Sequence, residues 1–263
     1  MIVGYHTGGL DEADVARAAR RLQKAGYGGV QFAGPVAKTI AARGAWEESG
    51  SIFRAHGIEV LCTWGANPAL EEWADGERGQ ERFAKLRRCG EEARRAGCAS
   101  LMLLPEGAAP ASPELRRAAG RAFANFARAF HDTTGVRLTL HQHAGSRLES
   151  WSEVEEFAAE FDGVSSALIA DTAHLTLGGI DPARFVRAFA GRIDMLHLKD
   201  ARAGRFAFPG QGTVDFAAVF AALEAAGFAG NLVADVHDAS FEGDKVIAAK
   251  AWLDGIMAVP VQP

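Results

Sequence analysis

The sequence is poor in cysteine, in basic charge and in long apolar runs. Its 263 residues include only three cysteines, Cys62, Cys89 and Cys98, which form no CxxC pair. A sparse, odd set is typical of free thiols in a reducing compartment. The formal net charge of −5 argues against nucleic acid or an anionic membrane as a partner, because both attract basic surfaces.

The start of the chain lacks the features of an export signal. The segment MIVGYHTGGLDEAD has neither a basic n-region nor a long apolar stretch. The apolar runs elsewhere are shorter than a membrane span requires. We therefore expect a cytoplasmic protein without a membrane partner. A chain of this length buries a large core without disulfide bonds.

Short apolar, β-branched runs alternate with longer amphipathic stretches along the whole chain. The stretches predict helices, and several end in glycine just before the next apolar run, at the usual helix C-cap position. The runs predict eight strands, at 2–6, 28–32, 59–63, 100–104, 137–141, 167–171, 194–198 and 231–236.

Eight strand–helix units predict an α/β fold, a closed (β/α)8 or TIM barrel, as a single domain over residues 1–263. The alternative is an open doubly wound sheet, but no GxGxxG follows the first strand. Residues 34–50 have the least regular pattern, and we expect a long loop over the barrel mouth there.

Six of the eight histidines fall at or just after predicted strand ends. In a (β/α)8 barrel the carboxyl ends of the strands and the loops after them build the active site. One such histidine would not indicate a site, because a packed or solvated side chain explains it equally well. Six at one face of the barrel predict a functional cluster, made of His6, His141, His143, His174, His197 and His237.

The ends of predicted strands five to eight offer four metal ligands, His141, Asp171, His197 and Asp235. A carboxylate that ends an apolar strand is costly to bury unless it is paired or bound to a metal. Imidazole with carboxylate suits Mn, Fe, Co or Zn, and carboxylate-rich sites tolerate Mg. The sequence predicts one divalent metal ion with open positions for substrate oxygens.

Other charged and aromatic residues are candidates at the same face. Lys199 shares the phase of His197 along the strand and can neutralise a developing enolate or transfer a proton, or it can be a solvated strand-end charge. Trp64 can stack on a sugar face, although plain core or loop packing is the commoner role of such an aromatic. Arg202 can bind a carboxylate or phosphate, or it can be a solvated loop charge. Asp200 can be a turn residue, a partner of a ligand or a substrate contact.

The stretch IADTAHLTLGGIDPARFVRAFAGRIDMLHLKD carries an Asp-Thr-x-His and a His-x-Lys-Asp motif. With PGQGTVDF and AGNLVAD further on, it resembles the xylose-isomerase-like superfamily of sugar isomerases and epimerases. The resemblance implies a TIM barrel in which Asp171 and His197 bind the metal and His174 contacts substrate or metal.

Three positions depart from that family pattern. His141 and Asp235 stand where relatives carry glutamate, and Gln31 stands where strand two often carries it. In the family's epimerases the two glutamates move a proton on opposite faces of the substrate carbon. The His-x-His-x-Gly of His141, His143 and Gly145 instead resembles the inosose dehydratase branch, where one base takes the α-proton and an acid or metal helps hydroxide leave.

We therefore predict a divalent-metal-dependent isomerase or epimerase that acts on a sugar, keto-sugar or cyclitol through an enolate. An inosose-type dehydratase is the alternative. An abasic-site endonuclease and a non-catalytic ligand-binding barrel are less favoured, and a homodimer is left open. The catalytic candidates are His141, His174, Lys199 and Asp235, and the substrate-binding candidates are His6, His143, Trp64, Arg202 and His237.

Overall fold

Eight parallel strands form a closed barrel in the computed structural model, which describes residues 1–9, 14–105, 111–161, 164, 167–236 and 242–258. Neighbours in the chain are neighbours round the barrel, and the last strand pairs with the first. The predicted (β/α)8 fold is confirmed, whereas its extent as one domain over residues 1–263 stays a prediction. The strands are β1 (Val3–His6), β2 (Gly29–Phe32), β3 (Glu59–Ala66), β4 (Ser100–Leu103), β5 (Arg137–His141), β6 (Leu168–Asp171), β7 (Ile193–Leu198) and β10 (Asn231–Ala234).

Helices occupy the segments between the strands. Many begin at an aspartate or serine whose side chain accepts from the first backbone N–H groups, as Asp14, Asp181 and Asp215 do. Within the described residues, none of the helices is long and apolar enough to cross a membrane. They are α1 (Val15–Ala25), α2 (Gly34–Ala42), α3 (Trp46–Ala55), α4 (Leu70–Ala74), α5 (Gly76–Arg95), α6 (Pro113–Thr134), α7 (Trp151–Ala158), α8 (Thr172–Leu177), α9 (Pro182–Phe189), α10 (Phe216–Ala225) and α11 (Lys245–Met257).

The prediction of a long loop over residues 34–50 is wrong. This segment forms α2 and the first half of α3, which connect β2 to β3. Both helices start without a side-chain cap, so the usual sequence signal is missing. Tertiary packing stabilises them instead, since the ring of Phe53 lies 5.4 Å from that of Phe32.

A short antiparallel hairpin follows β7 at the barrel mouth. It consists of β8 (Asp200–Arg202) and β9 (Arg205–Ala207). The two turn residues, Ala203 and Gly204, both have positive φ, 51° and 75°, as a tight hairpin turn that matches strand twist requires. The hairpin carries Phe206, which is 37% exposed.

The core has two layers, one between the strands and the surrounding helices and one inside the barrel. Ile169, Met195 and Val233, of the inner layer, each stand two residues before a predicted metal ligand and so share its face of the strand. An apolar layer therefore fills the barrel beneath the polar residues of the mouth. Its other buried members are Leu61, Cys62 and Met102.

Candidate metal centre and active site

The structure brings the four predicted metal ligands together at the carboxyl ends of neighbouring strands. Each is buried, with at most 6% of its surface exposed. Their ligand atoms fall into two groups, each within a 4.8 Å span: His141, Asp171 and His174, and Asp171, His197 and Asp235. Asp171 belongs to both groups, so it lies at the centre of the candidate site.

The two carboxylate oxygens of Asp171 have different surroundings. Oδ1 accepts from the backbone N–H groups of Ala173 and His174, at 2.8 and 3.0 Å, and so caps α8. Oδ2 faces the cluster, 3.4 Å from Lys199 Nζ and 3.7 Å from His197 Nδ1. Burial would raise the pKa of Asp171, but Lys199 and His174 outweigh it and hold the pKa well below its usual range. The carboxylate is therefore ionised.

Buried acceptor atoms converge here with too few donors to satisfy them. Among the described residues, neither Asp171 Oδ2 nor His197 Nδ1 has a hydrogen-bond partner. An unsatisfied buried polar atom costs roughly 1–3 kcal/mol. Imidazole nitrogen and carboxylate oxygen are the ligands that Mn, Fe, Co and Zn accept. The residues present thus fit a divalent metal ion.

Lys199 points inward between the carboxylates of the site. Its Nζ lies 2.6 Å from Asp235 Oδ2, and the side chain is 4% exposed. Burial would lower the pKa of Lys199, but Asp171 and Asp235 outweigh burial and raise it. The ammonium also lies 4.6 Å from the ring centre of Phe206 on the hairpin. A protonated lysine therefore lies beside two of the predicted ligands and near the hairpin at the barrel mouth.

The backbone N–H and C=O of Ala144 give His143 and His174 opposite proton positions. His143 Nδ1 lies 2.7 Å from the Ala144 carbonyl oxygen, which only accepts, so Nδ1 carries the proton and Nε2 the lone pair. The Ala144 N–H donates to His174 Nδ1 at 3.3 Å, so the proton of neutral His174 is on Nε2. The rings stack with centres 3.6 Å apart. The pair therefore offers one proton acceptor and one donor.

The three histidines at or just after the ends of β5 and β6, His141, His143 and His174, favour the neutral form. Burial lowers the pKa of His143, and it lowers that of His174 to about 3. For His141, burial and then the nearby His197 and His174 hold the pKa well below its usual range. His141 Nδ1 lies 3.4 Å from the Ile169 carbonyl oxygen, which leaves the Nε2 lone pair available as a ligand.

The remaining predicted site residues are spread over the mouth. His6 joins the cluster, with Nδ1 3.1 Å from Asp235 Oδ1. Trp64, half-buried on β3, donates through Nε1 to Asn67 at 3.0 Å. Arg202 is exposed on the hairpin. His237 lies outside the described residues.

Asp200 is a loop organiser. Its carboxylate is fully buried and accepts from four backbone N–H groups, at 2.8–3.1 Å. Three of the donors lie in the glycine-containing segment that leads to α10, and the fourth lies next to Asp200 in β8. A Cβ on Gly212 would overlap the carboxylate, which explains the glycine. The sequence allowed three roles for Asp200, and this arrangement fits the role of a turn residue. The donors are Ala201, Gly210, Gly212 and Val214.

Sequence reasoning noted Gln31 only as a departure from the family pattern and missed its contact. Gln31 is fully buried on β2, and its Oε1 lies 2.6 Å from His197 Nε2. A polar residue within the short buried strand GVQF was the available signal, because burying an amide requires a partner.

A curated relative matches about half of the chain. The inosose dehydratase of Lacticaseibacillus casei is 25% identical over 148 residues, which are 48% of this chain and 50% of that relative. The match thus spans about half of the relative's length.

Solved structures of the same fold extend over nearly the whole chain. The IolI protein with a bound zinc atom superposes with a TM-score of 0.76 at 15% identity, covering 98% of this chain and 96% of IolI. D-psicose 3-epimerase of Clostridium cellulolyticum H10 gives a TM-score of 0.76 at 14% identity and covers 98% of each chain. At these identities the likeness establishes the fold.

The family profile is decisive, because its match covers most of the chain. The profile described as xylose isomerase-like TIM barrel matches residues 19–256. That range contains every strand of the barrel except β1 and every predicted metal ligand. The chain therefore belongs to the xylose isomerase-like TIM barrel family.

Proposed function

We propose that this protein is a metal-dependent lyase that removes water from a polyhydroxy ketone, either a keto-cyclitol or a keto-sugar. The observation that carries the proposal is the stacked pair His143 and His174, with its fixed and opposite proton positions. A matched relative of the chain is an inosose dehydratase, which supports this class of substrate.

Asp171, His197, His141 and Asp235 would hold the metal. When bound, such an ion polarises a carbonyl oxygen and stabilises negative charge on it. Lys199 adds a second, fixed positive charge beside the carboxylates. The apolar layer below the site leaves the mouth as the side from which a substrate enters.

His143 supplies the base in this proposal. Its Nε2 lone pair takes the proton from the carbon next to the ketone, and the C–H electron pair becomes part of a new double bond as the β C–O bond breaks. The same proton then passes from His143 Nε2 to the leaving hydroxide, so water departs and the imidazole returns to its neutral form. Neutral His174 donates a hydrogen bond from Nε2 to a substrate oxygen throughout.

The position of the pair favours elimination over inversion. The stacked rings of His143 and His174 approach a substrate from one side, and an imidazole that both takes and returns a proton there completes a dehydration. Epimerisation needs a second base on the opposite face. The arrangement therefore supports the dehydratase more strongly than the isomerase or epimerase.

Epimerisation or isomerisation is the second candidate, and Asp235 favours it. This carboxylate directly follows β10, the eighth strand of the barrel, where the family's glutamate base stands. Its oxygens, however, lie 2.6 Å from Lys199 Nζ and 3.1 Å from His6 Nδ1, and ion pairing weakens a base.

The test is turnover of a keto-inositol and of a 3-keto-sugar by protein reconstituted with Mn, Co or Zn, followed by proton NMR in heavy water. We expect loss of water and an unsaturated or rearranged diketone product. His143→Gln should lower kcat by about 10²–10⁴-fold, the usual contribution of a general base. His131→Gln, on α6, is the matched control and should leave kcat unchanged.

The reaction product distinguishes the dehydratase from the epimerase. A product with an inverted stereocentre and no loss of water supports the epimerase and refutes the dehydratase. Full activity in His143→Gln refutes the assignment of the base.

A further inference from the structure

A buried amide on β2 contacts the imidazole on β7, on another side of the barrel. Gln31 is fully buried and His197 is 1% exposed. Gln31 Oε1 lies 2.6 Å from His197 Nε2, and Gln31 Nε2 lies 3.4 Å from Met102 Sδ. Gln31 therefore connects the metal-binding end of the barrel to the apolar layer beneath it.

The sulfur of Met102 determines which way the amide faces. A thioether sulfur accepts hydrogen bonds and does not donate them, so the NH₂ group of Gln31 faces Met102. The amide oxygen then faces His197 and can only accept. Consequently His197 Nε2 carries the proton of the neutral ring, and Nδ1 carries the lone pair.

The lone pair of His197 points at the centre of the candidate metal site. Nδ1 lies 3.7 Å from Asp171 Oδ2 and 3.8 Å from Asp235 Oδ2. Nδ1 and Asp171 Oδ2 are both without a hydrogen-bond partner among the described residues. The other tautomer would direct an N–H at the metal site and set two lone pairs against each other at Gln31.

We infer that Gln31 is a positioning residue: it fixes the tautomer and ring orientation of His197 so that Nδ1 is the nitrogen offered to the metal. The inference rests on the metal site of the proposed function. Gln31 acts through His197 and does not itself contact the metal. Partners of metal-bound imidazoles generally work in this way.

An amide suits this position better than a carboxylate does. The site already holds two carboxylates, Asp171 and Asp235, against the one ammonium of Lys199. A neutral acceptor orients His197 without a further buried negative charge, which would be costly. The replacement of the family's frequent glutamate by Gln31 is thus consistent with the same orienting task.

The test uses three variants of the full chain. Gln31→Leu removes the acceptor at similar volume, Gln31→Glu keeps an acceptor, and Met102→Leu keeps the Gln31 acceptor but removes the sulfur that orients its amide. Two quantities are measured: the Kd for Co²⁺ or Zn²⁺ by chelator competition, and the protonated nitrogen of His197 by long-range ¹H–¹⁵N NMR on metal-free protein.

We expect wild-type His197 to be protonated at Nε2. Gln31→Leu should give a mixture of tautomers and weaken metal binding about 10–100-fold, the usual cost of losing such a partner. Gln31→Glu should restore the Nε2 tautomer and most of the affinity, and Met102→Leu should change both quantities much less than Gln31→Leu.

A Gln31→Leu protein with wild-type Kd and unchanged His197 tautomer overturns the inference. So does a Gln31→Glu protein whose His197 tautomers are as mixed as in Gln31→Leu, because an acceptor at this position would then not set the tautomer. If the wild-type protein binds no metal although His197 is protonated at Nε2, the metal site of the proposed function is refuted. The orientation of His197 by Gln31 would still stand.

Discussion

Two buried aspartates on neighbouring strands, one at each end of the barrel, have pKa values shifted in opposite directions. Asp171 ends β6 at the mouth, and Asp194 lies at the start of β7 at the other end. The pKa of Asp171 is held well below its usual range, whereas burial outweighs the nearby Arg137 and raises the pKa of Asp194.

The difference lies in the surroundings of the carboxylates. Arg137 holds only Oδ1 of Asp194, through Nε and Nη2 at 2.9 and 2.8 Å, and the arginine is 37% exposed. Asp171 has the buried ammonium of Lys199 and two backbone N–H groups. Several positive or donor groups around a buried carboxylate favour its ionised form, so the mouth stabilises a negative charge more strongly than the other end does.

Removing Lys199 should have the largest effect on stability. Lys199→Met leaves Asp171 and Asp235 buried without their ammonium, which should cost about 3–5 kcal/mol of unfolding free energy. Urea denaturation in EDTA measures it, and added Co²⁺ should recover most of the loss. Arg137→Met is the control and should cost less, because Asp194 can take up a proton. An equal loss in Arg137→Met would refute the contrast between the two ends.

Replacing each of the two aspartates by asparagine should change the metal affinity when the change is at the mouth but not when it is at the other end of the barrel. Asp171→Asn keeps an oxygen to cap α8 but loses the charged ligand, so the Kd for Co²⁺ should rise by more than the roughly 100-fold cost of losing an outer partner. Asp194→Asn, the same change at the other end, should leave that Kd unchanged. Isothermal titration on both proteins checks this, and a wild-type Kd in Asp171→Asn would remove Asp171 from the site.

Acid should destabilise the metal-free protein through the histidines of the mouth. The pKa of His174 is about 3 in the folded protein because of burial, and about 6.5 when unfolded. Below pH ~6.5 the unfolded chain binds the proton first, so stability is lost between pH ~6.5 and ~3, at about 1.4 kcal/mol per pH unit.

Denaturation midpoints in EDTA at several acidic pH values measure that slope. His174→Gln should make it shallower. Asp194→Asn should make it steeper, because a raised folded pKa binds its proton before the unfolded chain does and so favours folding as the pH falls. A slope that is unchanged in His174→Gln would show that this ring is not kept neutral by burial.

The smallest effect is expected at the rim of the mouth. Arg202 is exposed on the hairpin, so Arg202→Ala should change the unfolding free energy by less than about 0.5 kcal/mol. The Kd for metal should stay the same, and only the KM of anionic substrates should rise. Thermal melts and kinetics with charged and neutral substrates test this, and a large loss of stability would show that the rim supports the site.

The barrel was predictable from sequence because its signals are local. Apolar runs mark the strands and glycine C-caps mark the ends of several helices, and Gly26 and Gly135 do have the left-handed conformation. Helices α2 and α3 were missed because long-range packing, not caps, stabilises them.

The candidate site was predictable in its members but not in its contacts. Position at a strand end predicted that Asp171 and His197 belong to the site, and the alternation of side chains along a strand predicted that Lys199 points inward. The contact of Gln31 with His197 joins residues 166 positions apart, and no local pattern encodes it. The opposite proton positions of the two stacked histidines depend on the directions of the backbone N–H and C=O of Ala144, which only the folded loop fixes.

The carboxylate of Asp200 has a consequence for substrate choice. Successive backbone N–H groups of a glycine-containing loop make a receptor for phosphate in many enzymes. Here such N–H groups already donate to the Asp200 carboxylate of the same chain. The donors are Gly210, Gly212 and Val214. These three N–H groups are therefore not available to bind the phosphate of a substrate.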